Sequence, residues 1–170
     1  MEIKMDIISE LNGKRILIWG YGREGKATEH FLQRCVKPAS VDIFEGKKEE
    51  IDEDDYDFII KSPGIVMNEE NPKYTSETEL FLQQFRDQVI GITGTKGKST
   101  TSAMLYTVLK ACSGRPVLLL GNIGQPCLDY FEEVTEDTII VYEMSCHQLA
   151  HTNAVSYTHL RAHETDQYLV

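Results

Sequence analysis

No stretch of the chain approaches the roughly 18 consecutive apolar residues of a membrane-spanning helix, and the opening MEIKMDIISELNGK has no apolar signal core. No membrane partner and a cytoplasmic setting are therefore expected. Basic charge is in the minority: 17 Lys and Arg face 27 Asp and Glu, a formal net charge of −10. That balance excludes a general binder of nucleic acid or of anionic membrane. An anionic ligand must instead be held by local loops and a few placed cations. Cys35, Cys112, Cys127 and Cys146 show no C-x-x-C spacing, so they are expected to be reduced and partly buried rather than metal-bound. Nothing repeats at a solenoid period, and no linker rich in Pro, Gly or Ser divides the chain.

What is present is a globular composition, 41% hydrophobic and 26% charged over 170 residues, enough for one ordinary domain or two small ones. Strands are expected at Lys14–Trp19, Ser40–Phe44, Asp57–Ile60, from Val89, at Val117–Leu120 and at Thr138–Tyr142. Helices are expected at Lys26–Val36, at Thr78–Phe85 with Ser76 or Thr78 as cap, and from the second glycine loop to about Lys110. The acidic run Lys47–Asp57 reads as a solvated connection. Strands that are nearly all apolar, alternating with helices, argue for parallel sheets of the α/β class. The expected fold is a Rossmann-like N-terminal unit, 1–88, followed by the start of a P-loop ATPase unit, 89–154.

GITGTKGKST (91–100) follows an apolar strand and opens a helix. Its glycines let successive N–H groups turn toward phosphate oxygens, and the helix N-terminus adds partial positive charge. Gly94, Thr95, Lys96, Gly97, Lys98, Ser99 and Thr100 are the expected ATP-binding residues. Lys98 would reach the β/γ-phosphates, and the Ser99 or Thr100 hydroxyl would ligate Mg²⁺. Ile92 stands where G-x-x-x-x-G-K-[ST] has its first glycine, so this loop is a tighter variant starting at Gly94.

GYGREG (20–25) matches G-x-G-x-x-G after a strand and before a helix. Glu45, with Asp42 as the weaker choice, is the acidic residue the pattern wants about 20 positions on. The loop suits the pyrophosphate of NAD or the diphosphate of a nucleotide sugar, and Arg23 and Lys26 place cations beside it. The residues alone leave open a ligase, a non-catalytic nucleotide-binding module, and a dehydrogenase-like fragment. The last gives Lys98 no role.

GYGREG, KSPGI (61–65), GITGTKGKST, GNIGQP (121–126) and EMSCHQL (143–149) together resemble the Mur ligases, the ATP-dependent amino-acid ligases of peptidoglycan precursor synthesis. The resemblance runs from about residue 14 to 151 and is strongest to the branch that adds D-glutamate. Folylpolyglutamate synthases share the tight G-T-x-G-K loop without the preceding nucleotide-sugar unit. The resemblance implies that ATP phosphorylates the carboxylate of UDP-N-acetylmuramoyl-L-alanine and that D-glutamate then displaces phosphate to form an amide. It implies catalytic roles for Lys98, Asn122 and Glu143, with Ser99 and Glu143 on the metal. It places the UDP substrate on Tyr21, Gly22, Arg23, Glu24, Gly25, Glu45, Ser62, Pro63 and Gly64. Apart from the resemblance, Asn122 also reads as a turn residue and Glu143 as a helix cap. His147 reads as a packed or surface histidine before a ligand. Lys96 stands where the family has asparagine, and either contacts phosphate or points to solvent.

Beyond about Ala154 the resemblance stops. VSYTHLRAHETDQYLV (155–170) shows no clear strand period, and His159 and His163 have nothing beside them to make a metal pair. This segment is expected to be foreign, and these residues alone are expected to be an inactive, monomeric N-terminal piece of a ligase, without the D-glutamate site and much of the adenine pocket.

Overall fold

The computed structural model describes residues 6–65, 71–123, 125–145, 148 and 158–161; His147, His163 and Cys146 lie outside them. Two four-stranded sheets, parallel in every pairing, follow one another along the chain. The first has the order β2-β1-β3-β4, from β1 (Arg15–Trp19), β2 (Ser40–Phe44), β3 (Phe58–Lys61) and β4 (Tyr74–Thr75). The second has the order β6-β7-β5-β8, from β5 (Val89–Thr93), β6 (Val117–Gly121), β7 (Ile139–Glu143) and β8 (Thr158–Arg161). The helices are α1 (Ile7–Leu11), α2 (Arg23–Cys35), α3 (Glu77–Phe85) and α4 (Lys98–Cys112).

The expected strands form within a residue or two of the expected bounds, and Ser76 caps α3, its Oγ accepting from the Glu79 amide at 3.1 Å. Three features differ. Helix α2 begins at Arg23, inside the first glycine loop, because Gly22 supplies an extended N-cap and lets the helix start early. Strand β6 lies at a sheet edge and is only half-buried over Val117–Leu119, and α4 buries fully only Ser102, leaving Met104 65% and Val108 57% exposed. Strand β8, in the segment expected to have no strand period, pairs with β5 from Ile90↔Thr158 to Thr93↔Arg161. An open parallel edge offers a row of backbone donors and acceptors, which a partner can satisfy with little help from side-chain pattern. The acidic run forms two 3-10 turns with no buried residue, as expected of a solvated connection, while Ile51 and Tyr56 within it pack against the core.

One apolar core holds the two sheets together. Ile16, Ile18 and Ile60 of the first sheet share it with Leu120, Ile140 and Tyr142 of the second. Aromatic rings bridge the layers between them: Phe31–Phe131, Phe131–Phe85, Phe85–Phe81 and Phe81–Tyr142, with centroids 4.8, 5.0, 4.9 and 6.0 Å apart. Each such pair contributes about 0.5–1.5 kcal/mol beyond its area burial. The shared core thus fixes the carboxyl edge of one sheet relative to that of the other.

Within this core sits a buried polar chain that the sequence did not announce. Glu77 accepts from the Leu128 amide at 3.0 Å, the Tyr142 hydroxyl donates to Cys127 Sγ at 3.3 Å, and Tyr142 and Thr78 hydroxyls lie 3.1 Å apart. Burial, with Glu24 and Asp129 adding negative charge nearby, pushes the Glu77 carboxyl up to about 8. Its folded value is raised, so this contribution to stability is fully present below about pH 4.5 and is lost as pH rises through about 8. Glu77→Gln keeps an acceptor for Leu128 and is expected to flatten the fall in stability between pH 5 and 8 by a few kcal/mol, ~1.4 for each pKa unit removed. Denaturant melts of both proteins across that range measure it, and parallel curves would contradict it.

Candidate functional site

In parallel sheets, ligands gather beyond the carboxyl ends of the strands, where crossovers diverge. Both glycine loops sit there. β1 runs into Gly20–Gly22, between the Glu45–Gly46 turn after β2 and the Ser62–Gly64 turn after β3. The Gly20 amide donates to the Phe44 carbonyl at 2.8 Å, and Ser62 Oγ donates to the Gly20 carbonyl at 3.1 Å, so the three turns are tied together. A Cβ on Gly25 would collide with the Gly20 carbonyl oxygen, which is why the third glycine of the loop lets α2 pack against β1. Gly25→Ala is expected to cost about 1–3 kcal/mol of stability, as overpacking does. A melt unchanged from the parent would contradict this close packing.

The expected residues around this loop do not all face the same way. Gly22 and Gly64 are exposed, Pro63 is half-buried, and Glu45 is exposed at the end of β2. The Tyr21 hydroxyl donates to Glu29, and Lys26 lies over its ring, 5.7 Å from the centroid. Arg23 Nη2 reaches across to the Asn122 carbonyl at 3.4 Å. Glu24 turns inward and accepts from Gln148 Nε2 at 3.0 Å. Burial raises its pKa, the hydrogen bond from Gln148 and the charge of Arg23 partly offsetting it. Lys61 of the KSPGI segment is buried at the end of β3 and donates to the Ile65 carbonyl at 3.0 Å; burial pushes its ammonium down.

The second loop follows β5. Gly97 takes a left-handed conformation, φ 76°, as the N-cap of α4, so the backbone reverses and the helix begins directly at Lys98. Lys98 Nζ folds over the loop, 2.8 Å from the Gly94 carbonyl and 3.4 Å from that of Thr95. Thr95, Lys96, Ser99 and Thr100 are exposed along the same turn.

Beside it, β7 delivers Glu143. Its register places it opposite Ile92 of β5 and Gly121 of β6. The Glu143 side chain is fully buried; Oε1 accepts from Asn122 Nδ2 at 3.0 Å and from Ser99 Oγ at 3.4 Å, while Oε2 has no hydrogen-bond partner. The Asn122 amide donates to the Glu143 carbonyl at 2.9 Å. A buried carboxylate oxygen without a donor is costly, and a hard cation satisfies it. Among the described residues no cluster of three or more His, Cys, Asp and Glu is placed to hold a metal. One carboxylate and one hydroxyl suit Mg²⁺, which keeps several waters and takes further oxygens from phosphate. The structure thus brings together Lys98, Ser99, Asn122 and Glu143, with the loop Gly94–Gly97 beside them.

Residues 92–163 match the Mur ligase middle domain. The chain is 34% identical over 157 residues to the UDP-N-acetylmuramoylalanine–D-glutamate ligase of Clostridium kluyveri, covering 82% of this chain and 34% of the relative. It is 28% identical over 170 residues to the ligase of the same name from Leuconostoc mesenteroides (83% of this chain, 38% of the relative). It is 32% identical over 174 residues to the UDP-N-acetylmuramoyl-L-alanine–L-glutamate ligase of Xanthomonas euvesicatoria (83% and 37%). The chain spans about a third of the length of the curated relatives it matches. By the middle-domain match and these relatives, the chain is similar to the Mur ligases.

Proposed function

We propose that the protein to which these residues belong ligates D-glutamate to UDP-N-acetylmuramoyl-L-alanine at the expense of ATP, in peptidoglycan precursor synthesis in the cytoplasm, as a monomer. The observation that carries the reading is the convergence of Lys98, Ser99, Asn122 and Glu143 at one sheet edge, beside the loop Gly94–Gly97. Residues 1–88 act as a Rossmann-like unit for the UDP substrate, and 89–154 as the start of a P-loop ATPase unit.

ATP is a substrate here. Its γ-phosphoryl group passes to the carboxylate oxygen of the alanine moiety, leaving ADP and an acyl phosphate. The glutamate amine then attacks the acyl carbon, a proton is lost, and phosphate leaves as the amide forms. Such transfers ask mainly for positioning and charge neutralisation. Backbone amides of Gly94–Gly97 and the start of α4 cradle the β- and γ-phosphates. Lys98 leaves the loop carbonyls to neutralise charge on the moving phosphoryl group. Asn122 orients the carboxylate substrate, and Ser99 and Glu143 hold Mg²⁺, which supplies Lewis-acid neutralisation of phosphate charge. The UDP moiety lies along Tyr21–Gly25, with Ser62–Gly64 and Glu45 at its sides.

Calorimetry of the chain with UDP-N-acetylmuramoyl-L-alanine, UDP and NADH tests the first loop: the uridine ligands are expected to bind. Binding of NADH alone would replace the ligase reading with a dehydrogenase-like one. The Xanthomonas relative, named for L-glutamate, keeps a second amino acid in view. Turnover by the whole enzyme with each glutamate enantiomer separates the two.

A further inference from the structure

Two contacts tie the first glycine loop to the segments on either side of Glu143. Arg23 and Glu24 are neighbours on the first loop, and each makes a contact across more than 95 residues of sequence, to either side of Glu143. Arg23 donates to the carbonyl of Asn122, whose amide and side chain both hold Glu143. Glu24 accepts from Gln148, which is 4% exposed and held at every polar atom of its side chain. Gln148 Oε1 accepts from the Ser145 amide at 2.9 Å, and its own amide donates to Ser145 Oγ at 3.2 Å. Ser145 is two residues beyond Glu143.

We propose that Gln148 is a positioning residue that links the first glycine loop to the Ser145 turn just beyond Glu143, so that a uridine diphosphate on the first loop changes the affinity of the second for a magnesium nucleotide. The inference rests on the reading of the loops given under Proposed function. Its physical basis is an acidic side chain in a loop assigned to a diphosphate. Glu24 Oε2 is buried without a partner, so the carboxyl has no second anchor to keep it in place when negative charge arrives. Repulsion from a diphosphate acts on the Glu24 carboxyl and, through its hydrogen bond, on Gln148 and the turn that carries Glu143. The same diphosphate draws Arg23 toward itself and off the Asn122 carbonyl. Both displacements end at the residues that face the second nucleotide. A difference in affinity produced in this way is reciprocal by thermodynamic necessity.

The test is calorimetry of the whole chain with Mg·AMP-PNP, with and without saturating UDP, and with UDP in the presence and absence of Mg·AMP-PNP. Each nucleotide is expected to bind alone, and the Kd of each to change by the same factor, about 5-fold or more, when the other is present. Gln148→Met, of similar volume, is expected to bring that factor close to one. Equal Kd values in the parent, or an undiminished factor in Gln148→Met, overturns the linkage while leaving the reading of the loops intact. Failure of either nucleotide to bind alone overturns that reading, and the linkage with it. A readout free of any variant is the NMR spectrum of the parent titrated with UDP. The Ser145 backbone amide and the Gln148 side-chain amide are expected to shift, and resonances that stay still as UDP saturates overturn the proposal.

Discussion

Lys98→Ala is expected to remove phosphate release from ATP in the whole enzyme, lowering kcat by about 10²–10³-fold or more, the scale seen when one preorganised charge-stabilising donor is lost. Lys98 opens α4, and its Nζ rests on the carbonyls of Gly94 and Thr95, so the loop that would wrap the phosphates also sets the height of the ammonium. Those bonds lie at the surface or half-buried and are worth little to the fold. The variant should therefore melt close to the parent while losing turnover. Lys98→Arg is not expected to restore activity, since a planar guanidinium cannot occupy the narrow space of an ammonium. Single-turnover phosphate release, with a melt as control, measures both. Normal turnover in Lys98→Ala would remove the loop from the mechanism.

Glu143→Gln is expected to abolish the stabilisation of the chain by Mg·AMP-PNP. For a ligand at a hundred times its Kd, binding stabilises the folded state by about 2.7 kcal/mol, a rise in Tm of about 5–11 °C for a chain of this size. The glutamine keeps an oxygen for Asn122 but places an amide where the unpartnered Oε2 lies, and an amide nitrogen cannot ligate a cation. Thermal shift with Mg·AMP-PNP, Mg²⁺ alone and AMP-PNP alone separates the contributions. An equal shift in the parent and in Glu143→Gln would reduce Glu143 to a capping residue.

Much of this arrangement is legible in the sequence because it is local. A strand, a glycine turn and a helix start are written in adjacent residues, which is why both loops and the strand ends of β1, β5 and β7 fall where the pattern puts them. Asn122 and Glu143 were legible as members of motifs, although their hydrogen bond to one another depends on β6 and β7 being neighbours, which periodicity does not state. Glu24 shows the limit most clearly. Loop membership assigns it to a diphosphate, while the fold turns it toward Gln148, and nothing within 20 residues of either position signals the pair. Glu77 and Tyr142 are hidden for a related reason: an acid at the start of a helix and a tyrosine in a strand look ordinary until tertiary packing closes over both. β8 is the converse case, a strand in a segment without strand period that pairs along the edge of β5.

The most direct test of the central claim is phosphate release from ATP by the whole protein, with each substrate present or withheld. Release is expected only when UDP-N-acetylmuramoyl-L-alanine and glutamate are both supplied, matched by one amide formed per phosphate. Release that proceeds without the uridine substrate, or none with all three present, would contradict it.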